Sequence, residues 1–255
     1  MNTQLEKKLN EIYEFLINNR KYNSFVHLLE YRQALVPFQT DRDKIISLMH
    51  YIAGTQSQPN MSSLASFFED LHIHIRFDTF ENFVDSLDDI PNKPGSPSKA
   101  SIAESYWVKL QRLQHKPGWG PKTAALFCKA MFKLHNEYDE ELGIWDVNRN
   151  IALRSKDGLK LPVDTVIIRI FEELGLKPAT FKSINELLKH KKWDIEVWDD
   201  LWFWGFITQR TKGNTRDIVY NPEKLWTLLA IPKDKNTLQA ITIKASEFIQ
   251  LLKGI

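Results

Sequence analysis

The sequence predicts an all-α fold that carries one small β-hairpin. Apolar residues recur at helical spacing in one segment after another. Strand-like alternation is confined to a single stretch, residues 148–163. At 255 residues the chain is long enough to bury a substantial core, in one large or two small domains.

Taken in order, residues 5–18 place Leu5, Leu9, Ile12, Phe15 and Leu16 on one helical stripe. Residues 43–53 repeat the pattern through Ile45, Ile46, Met49 and Ile52, and residues 62–71 and 79–87 read as two shorter helices. Pro91, Pro94 and Pro97 then forbid a continuous helix, so residues 91–98 form a turn-rich loop. A further helix is expected over 99–113. Beyond it, Asn150-Ile151-Ala152-Leu153-Arg154 and Leu159-Lys160-Leu161 flank Lys156-Asp157-Gly158, and Asp-Gly between two alternating runs signals a hairpin. Helices follow at 166–174, at 183–190 behind a capping box of Ser183 and Glu186, and at 242–252. The sequence contains no internal repeat or low-complexity tract.

With 43% hydrophobic and 26% charged residues, the chain has the composition of an ordinary soluble globular protein. Its net charge of +2 is the balance of 34 basic against 32 acidic residues. This neither favours nor excludes nucleic acid, because a binder with so small a total must concentrate its positive charge on one face. The single cysteine, Cys128, rules out an internal disulfide and any four-cysteine zinc or iron–sulfur site, and fits a reducing compartment. Residues 1–10 are polar and lack the apolar core of a signal peptide. No stretch approaches the roughly 20 apolar residues that span a bilayer. A cytoplasmic protein with no membrane partner and no cofactor is the expectation.

The most informative stretch is Lys116-Pro117-Gly118-Trp119-Gly120-Pro121-Lys122-Thr123-Ala124-Ala125. It joins two predicted helices through a Pro-Gly-x-Gly turn. Glycines there allow positive φ and a close approach of the backbone to a ligand. Free amides at the start of the second helix can hold a phosphate with help from the helix dipole. A tight turn between packed helices accounts for the same residues when they are taken alone.

Pro117-Gly118-Trp119-Gly120-Pro121-Lys122-Thr123-Ala124 resembles the hairpin of the helix-hairpin-helix DNA glycosylase superfamily, which includes endonuclease III and 8-oxoguanine DNA glycosylase. Members that also cleave the abasic strand carry a lysine at the position of Lys122. Leu161-Pro162-Val163-Asp164-Thr165, followed by Ile168-Arg169-Ile170 and Leu174-Gly175-Leu176, is similar to the family's second signature. That signature holds the catalytic aspartate, here Asp164. The resemblance spans roughly residues 43–206. It implies two helical lobes with a DNA-facing cleft between them: residues 35–135, ending in the hairpin, and residues 1–34 with 136–255. Lys122 and Asp164 would face each other across that cleft. The implied activity is base-excision repair of damaged double-stranded DNA by a monomeric glycosylase and abasic-site lyase, with 8-oxoguanine the leading base. In a bacterium or archaeon the protein would be associated with the nucleoid.

Some positions depart from the pattern. The lysine and aspartate stand 164 − 122 = 42 residues apart, wider than in the named relatives, and the expected β-hairpin accounts for the excess. Val166 occupies a position where many relatives have histidine, and the cluster cysteines of endonuclease III are absent. The resemblance is therefore to the cluster-free branches.

The chemistry suits these two residues. Breaking the bond between base and sugar builds positive charge on the deoxyribose, which a carboxylate such as Asp164 stabilises. An amine nucleophile then forms a Schiff base that leads to strand cleavage by β-elimination. That amine must be neutral, whereas a free lysine has a pKa of about 10.4. The dipole of the helix begun near Lys122, and burial under a flipped nucleotide, disfavour the charged form, while a nearby Asp164 opposes that shift. Alone, Asp164 reads as a helix N-cap and Lys122 as a solvated surface lysine; their joint occurrence in the two signatures carries the functional reading.

Gly118, Trp119, Gly120 and Thr123 are the expected DNA contacts at the hairpin. Gln56, with Gln58 second, is the candidate to fill the gap left by a flipped nucleotide, although a polar loop explains it equally well. Trp119 and the group Trp198, Trp202, Phe203, Trp204 and Phe206 offer stacking surfaces for an extruded base, but most of them are expected in the core. His72 and His74 lack a third ligand and are not read as a metal site. The basic run at residues 189–192 reads as a solvated helix end. A non-catalytic DNA-binding protein, or a glycosylase using Asp164 alone to activate water, are the rival readings.

Overall fold

A computed structural model of the chain describes every residue except 1, 2, 24–27, 97–104, 137–141, 146–153, 192, 214, 229, 254 and 255. In chain order its elements are α1 (Thr3–Asn19), α2 (Leu28–Leu35), α3 (Asp41–Gly54), α4 (Met61–His74), α5 (Phe80–Ser86), α6 (Tyr106–Gln111), α7 (Pro121–Asn136), α8 (Thr165–Glu173), α9 (Phe181–His190), α10 (Ile195–Asp199), α11 (Leu201–Ile207), β1 (Gln209–Lys212), β2 (Thr215–Ile218), α12 (Glu223–Thr227) and α13 (Lys235–Lys253). The described residues are thus mostly helical with one two-stranded antiparallel sheet among them. No helix among the described residues is long and apolar enough to cross a membrane. The chain divides into two compact units, Glu30–Pro162 and Met1–Leu29 with Val163–Ile255. The second cut thus falls after the Asp157-Gly158 turn, where the resemblance implied a boundary at residue 135.

In the unit Glu30–Pro162, side-chain caps set where helices begin. Thr40, Asn60 and Thr79 accept hydrogen bonds from the amides of Asp43, Ser63 and Asn82, opening α3, α4 and α5; such caps are worth about 1 kcal/mol each. The apolar faces of these helices, with α6 and α7, bury Ile45, Phe67, Phe83, Trp107 and Phe127 almost completely. Each such side chain contributes roughly 1.5–3 kcal/mol by leaving water.

The expected β-hairpin over 148–163 is not there as drawn. Its first arm, Asn150 to Leu153, lies outside the described residues. The Asp157-Gly158 turn does form, with Gly158 at φ +92° and the Leu159 amide donating to the Lys156 carbonyl at 3.1 Å. Leu159 to Leu161, however, belong to no strand. Ser105 Oγ donates to the Asp157 carbonyl at 2.8 Å and Trp107 Nε1 to that of Ser155 at 2.6 Å. Side chains from the start of α6 therefore take main-chain acceptors of this loop. Of the helix expected over 99–113, residues 97–104 are not described and the remainder is α6 with a following 3-10 turn.

The unit made of residues 1–29 and 163–255 builds its core around α11. Trp198, Phe203, Trp204, Phe171 and Phe248 are fully buried, and Phe15 meets Trp204 edge-on at 5.0 Å. Gly205 lets α11 lie close against α8: a Cβ there would stand 2.6 Å from both Val166 Cγ1 and Ile170 Cδ1. Buried Asp200 ties α1 to this core, accepting from Arg20 Nε at 3.0 Å and Asn23 Nδ2 at 2.7 Å. The sheet among the described residues is here: β1 and β2 pair with Gln209 opposite Ile218 and Lys212 opposite Thr215. Two further corrections concern helix starts. The capping box of α9 uses Thr180 as the cap and Ser183 as its third helical residue, three positions before the expected one. α13 begins at Lys235, not at 242, because Asp234 accepts from the Thr237 amide.

Candidate functional site

In the unit Glu30–Pro162 the stretch 116–123 is a helix-turn-helix connection into α7. Gly118 takes φ +77°, and a Cβ on it would lie 2.6 Å from Leu64 Cδ2 and 3.0 Å from the Leu64 backbone nitrogen. Both features demand glycine. Gly120 has open space around it. Three long side chains hold the turn's carbonyls and those beside it. Gln56 Nε2 donates to Gly118 O at 3.1 Å, Lys93 Nζ to Trp119 O at 2.8 Å, and buried Lys116 Nζ to Ile90 O at 2.6 Å. A trans peptide points its N–H opposite its C=O, so anchoring the Trp119 carbonyl aims the Gly120 amide away from Lys93. The amides of Gly120, Lys122 and Thr123 have no protein acceptor among the described residues; the first intrahelical bond of α7 is Ala124 N to Gly120 O.

Lys122 sits in the first turn of α7, half-exposed, with no hydrogen bond or ion pair among the described residues. Cations crowd the neighbourhood. Burial first, and then the charges of Lys93, Lys116, Arg112 and Lys160, hold His115 below the ordinary histidine pKa. One of these four cations, Arg112, is paired with Asp88 at 2.9 Å.

Two of the residues expected to touch DNA do not offer their side chains. Trp119 is 2% exposed and packs edge-on against Phe67 and Phe127 at 5.4 and 6.0 Å, so its ring is core and not a stacking surface. Thr123 is 3% exposed, which leaves only its main-chain amide. Gln56 is spent on the carbonyls of Ala53 and Gly118 and acts here as a brace of the turn.

In the other unit, Asp164 is the N-cap of α8. Its Oδ1 accepts from the amides of Val166 and Ile167 at 2.9 and 3.0 Å, and its Oδ2 from Trp202 Nε1 at 3.1 Å. Three donors fix both oxygens of a half-buried carboxylate. Trp202 in turn stacks on Phe206 with ring centres 4.9 Å apart and planes 11° apart; both rings are partly exposed, unlike the buried Trp198, Phe203 and Trp204. Lys224 Nζ lies 4.6 Å from the Phe206 ring centre and donates to the carbonyls of Phe206 and Gln209 at 2.8 and 2.7 Å. Burial lowers its pKa, Arg216 adds to that, and Asp164 opposes it.

No protein-family model matches the chain. No curated protein and no solved structure matches it either.

Sequence reasoning reached Lys122 and Asp164, quoted Lys116 only as part of the hairpin motif and Trp202 only as a stacking surface, and missed Lys93 and Lys224. A lysine lying between Pro91 and Pro94 signals nothing by itself, and neither does one of four tryptophans within residues 193–204. Their roles come from contacts distant in sequence. No group of three or more His, Cys, Asp or Glu side chains placed to hold a metal occurs among the described residues.

Proposed function

We propose that this chain is a DNA glycosylase of the helix-hairpin-helix superfamily with abasic-site lyase activity, acting on damaged double-stranded DNA, with 8-oxoguanine as the leading base. The observation that carries the reading is the Lys122 amine. It is unpaired and half-exposed on the first turn of a helix whose starting amides are also unpaired. This is the combination that phosphate capture and a nucleophilic lysine require. The resemblance of the two sequence signatures supports the family, and the three hydrogen bonds that hold the Asp164 carboxylate support its proposed electrostatic role.

In this mechanism the bond from the anomeric carbon to the base breaks and the bonding pair leaves with the base. The Lys122 Nζ lone pair forms a bond to that carbon, and loss of the amine protons and ring opening give a Schiff base. A proton then leaves the neighbouring sugar carbon as the 3′ phosphate departs. Asp164 stabilises the positive charge of the sugar in the first step. Its three donors leave it one orientation, so little reorganisation accompanies the reaction.

Borohydride trapping across a panel of lesion-bearing duplexes tests the proposal. A covalent adduct that forms with one lesion and vanishes in Lys122→Gln is expected. Base release without an adduct replaces the lyase with a monofunctional enzyme using Asp164 alone. Absence of release from any lesion leaves a DNA-binding protein without chemistry.

A further inference from the structure

The hairpin of β1 and β2 is a polar arm whose composition is unlike the rest of its unit. Its eight paired residues include Arg210, Lys212 and Arg216 against one acid, Asp217. Arg210 and Lys212 share the exposed face of β1, about 7 Å apart at two residues' rise. Gln209 and Ile218 on the opposite face are buried. Asp217 stands across from Arg210, yet no ion pair joins them among the described residues. Elsewhere in the unit several cations are paired, Lys8 with Glu11, Arg169 with Glu173, Lys182 with Glu186 and Lys244 with Glu247.

The arm is also lashed to the helix that Asp164 caps. Arg169 Nε donates to the Arg216 carbonyl at 2.9 Å, Arg216 Nη2 to Thr165 Oγ1 at 2.9 Å, and Gln209 Nε2 to the Val166 carbonyl at 2.9 Å. Arg210, Lys212 and Arg216 outnumber Asp217 on this braced hairpin and leave it locally positive. No exposed strand position is apolar. Exposed cations match phosphodiester oxygens, whereas insertion into a membrane surface calls for apolar side chains.

We infer that the β1–β2 arm is a nucleic-acid docking surface, with Arg210 and Lys212 holding phosphates of one DNA backbone. The inference rests on the glycosylase reading and extends it to a surface that neither signature contains.

The test is the salt dependence of binding to a labelled undamaged 20-base-pair duplex, measured by fluorescence anisotropy. The wild-type chain is compared with Arg210→Gln/Lys212→Gln and with a control, Lys182→Gln, whose lysine lies on α9. Each phosphate contact contributes about 0.9 to the slope of log K against log salt. The double variant should lose about 1.8 from that slope and roughly sixtyfold in affinity near 0.1 M salt, with an unchanged melting temperature. The control should keep the wild-type slope. A wild-type slope in the double variant, or an equal loss in the control, overturns the inference and leaves the glycosylase reading standing. Failure of the wild-type chain to bind duplex overturns both.

Discussion

Gly205 is the position where a single methyl group should reach from the packing of α11 to the orientation of Asp164. In Gly205→Ala the new Cβ would stand 2.6 Å from Val166 Cγ1 and 2.6 Å from Ile170 Cδ1, about 0.9–1.4 Å inside ordinary carbon–carbon contact, which is about 3.5–4.0 Å. Ile170 can swing its terminal methyl away. Val166 is β-branched and lies in a helix, where one χ1 rotamer dominates, so it has little room to yield. Overpacking of this size costs about 1–3 kcal/mol, while replacing a helical glycine by alanine returns about 0.5–1 kcal/mol. The net expectation is a loss of about 1.5 kcal/mol, or about 3–6 °C in melting temperature for a chain of this size. The same variant should disturb the Trp202–Asp164 hydrogen bond, because α11 must shift on α8. Differential scanning fluorimetry on Gly205→Ala, Val166→Ala and the double variant checks this. The double variant should be more stable than the sum of the singles predicts, by about 1 kcal/mol. A melting temperature in Gly205→Ala equal to or above wild type would refute the reasoning, since it would mean that helix propensity outweighs a clash that does not exist.

Other expectations follow from the same contacts. Gly118→Ala should lose about 2–4 kcal/mol, from a left-handed conformation costing about 1–2 kcal/mol and overpacking against Leu64, whereas Gly120→Ala, with open space around it, should stay within about 0.5 kcal/mol; thermal melts of the pair decide it. Trp202→Phe keeps the stacked ring and removes the donor to Asp164 Oδ2, so in single-turnover assays base excision should slow more than tenfold with little change in duplex affinity. His135 is pushed down to about 4 by burial, and neither ring nitrogen has a partner among the described residues. A depressed histidine pKa means the unfolded chain takes up the proton first. Its contribution is therefore fully present above about pH 6.5 and is lost as pH falls towards 4, by about 3 kcal/mol at most. His135→Phe should flatten that acid limb in melts recorded between pH 7 and 4.5.

How far the sequence carried this picture depended on whether a feature was written locally. Ile45, Met49 and Ile52 mark α3 because burial on one side leaves a periodic trace, and the turn at Gly118 is legible because positive φ and a close approach both select glycine. The β1–β2 hairpin left no such trace. Its strands, Gln209–Lys212 and Thr215–Ile218, are short and polar, and burial is limited to their ends, so there is no apolar alternation to read. The expected strand at Leu159 to Leu161 had alternation, but Ser105 and Trp107 claim carbonyls of that loop. Trp119 shows the same limit: next to two glycines in a phosphate-binding pattern it looks like a contact, and only the rings of Phe67 and Phe127 reveal it as core.

The two signatures open helices that use their free amides in opposite ways. At α8 the amides of Val166 and Ile167 are occupied by the protein's own carboxylate, Asp164 Oδ1, so that helix start spends its positive end on fixing an acid. At α7 the capping position is Gly120, which has no side chain to accept from the helix's first amides, and Pro121 removes one amide altogether. Lys93 and Gln56 meanwhile draw the turn's carbonyls to one side. What is left is a set of unpaired amides next to an unpaired amine, the feature on which the proposed phosphate contact rests. A side chain able to cap α7 would compete for those amides. Gly120→Asp should therefore stabilise the fold by up to about 1 kcal/mol while abolishing duplex binding at the turn. An increase in melting temperature without loss of DNA affinity would remove the turn from the proposed interface.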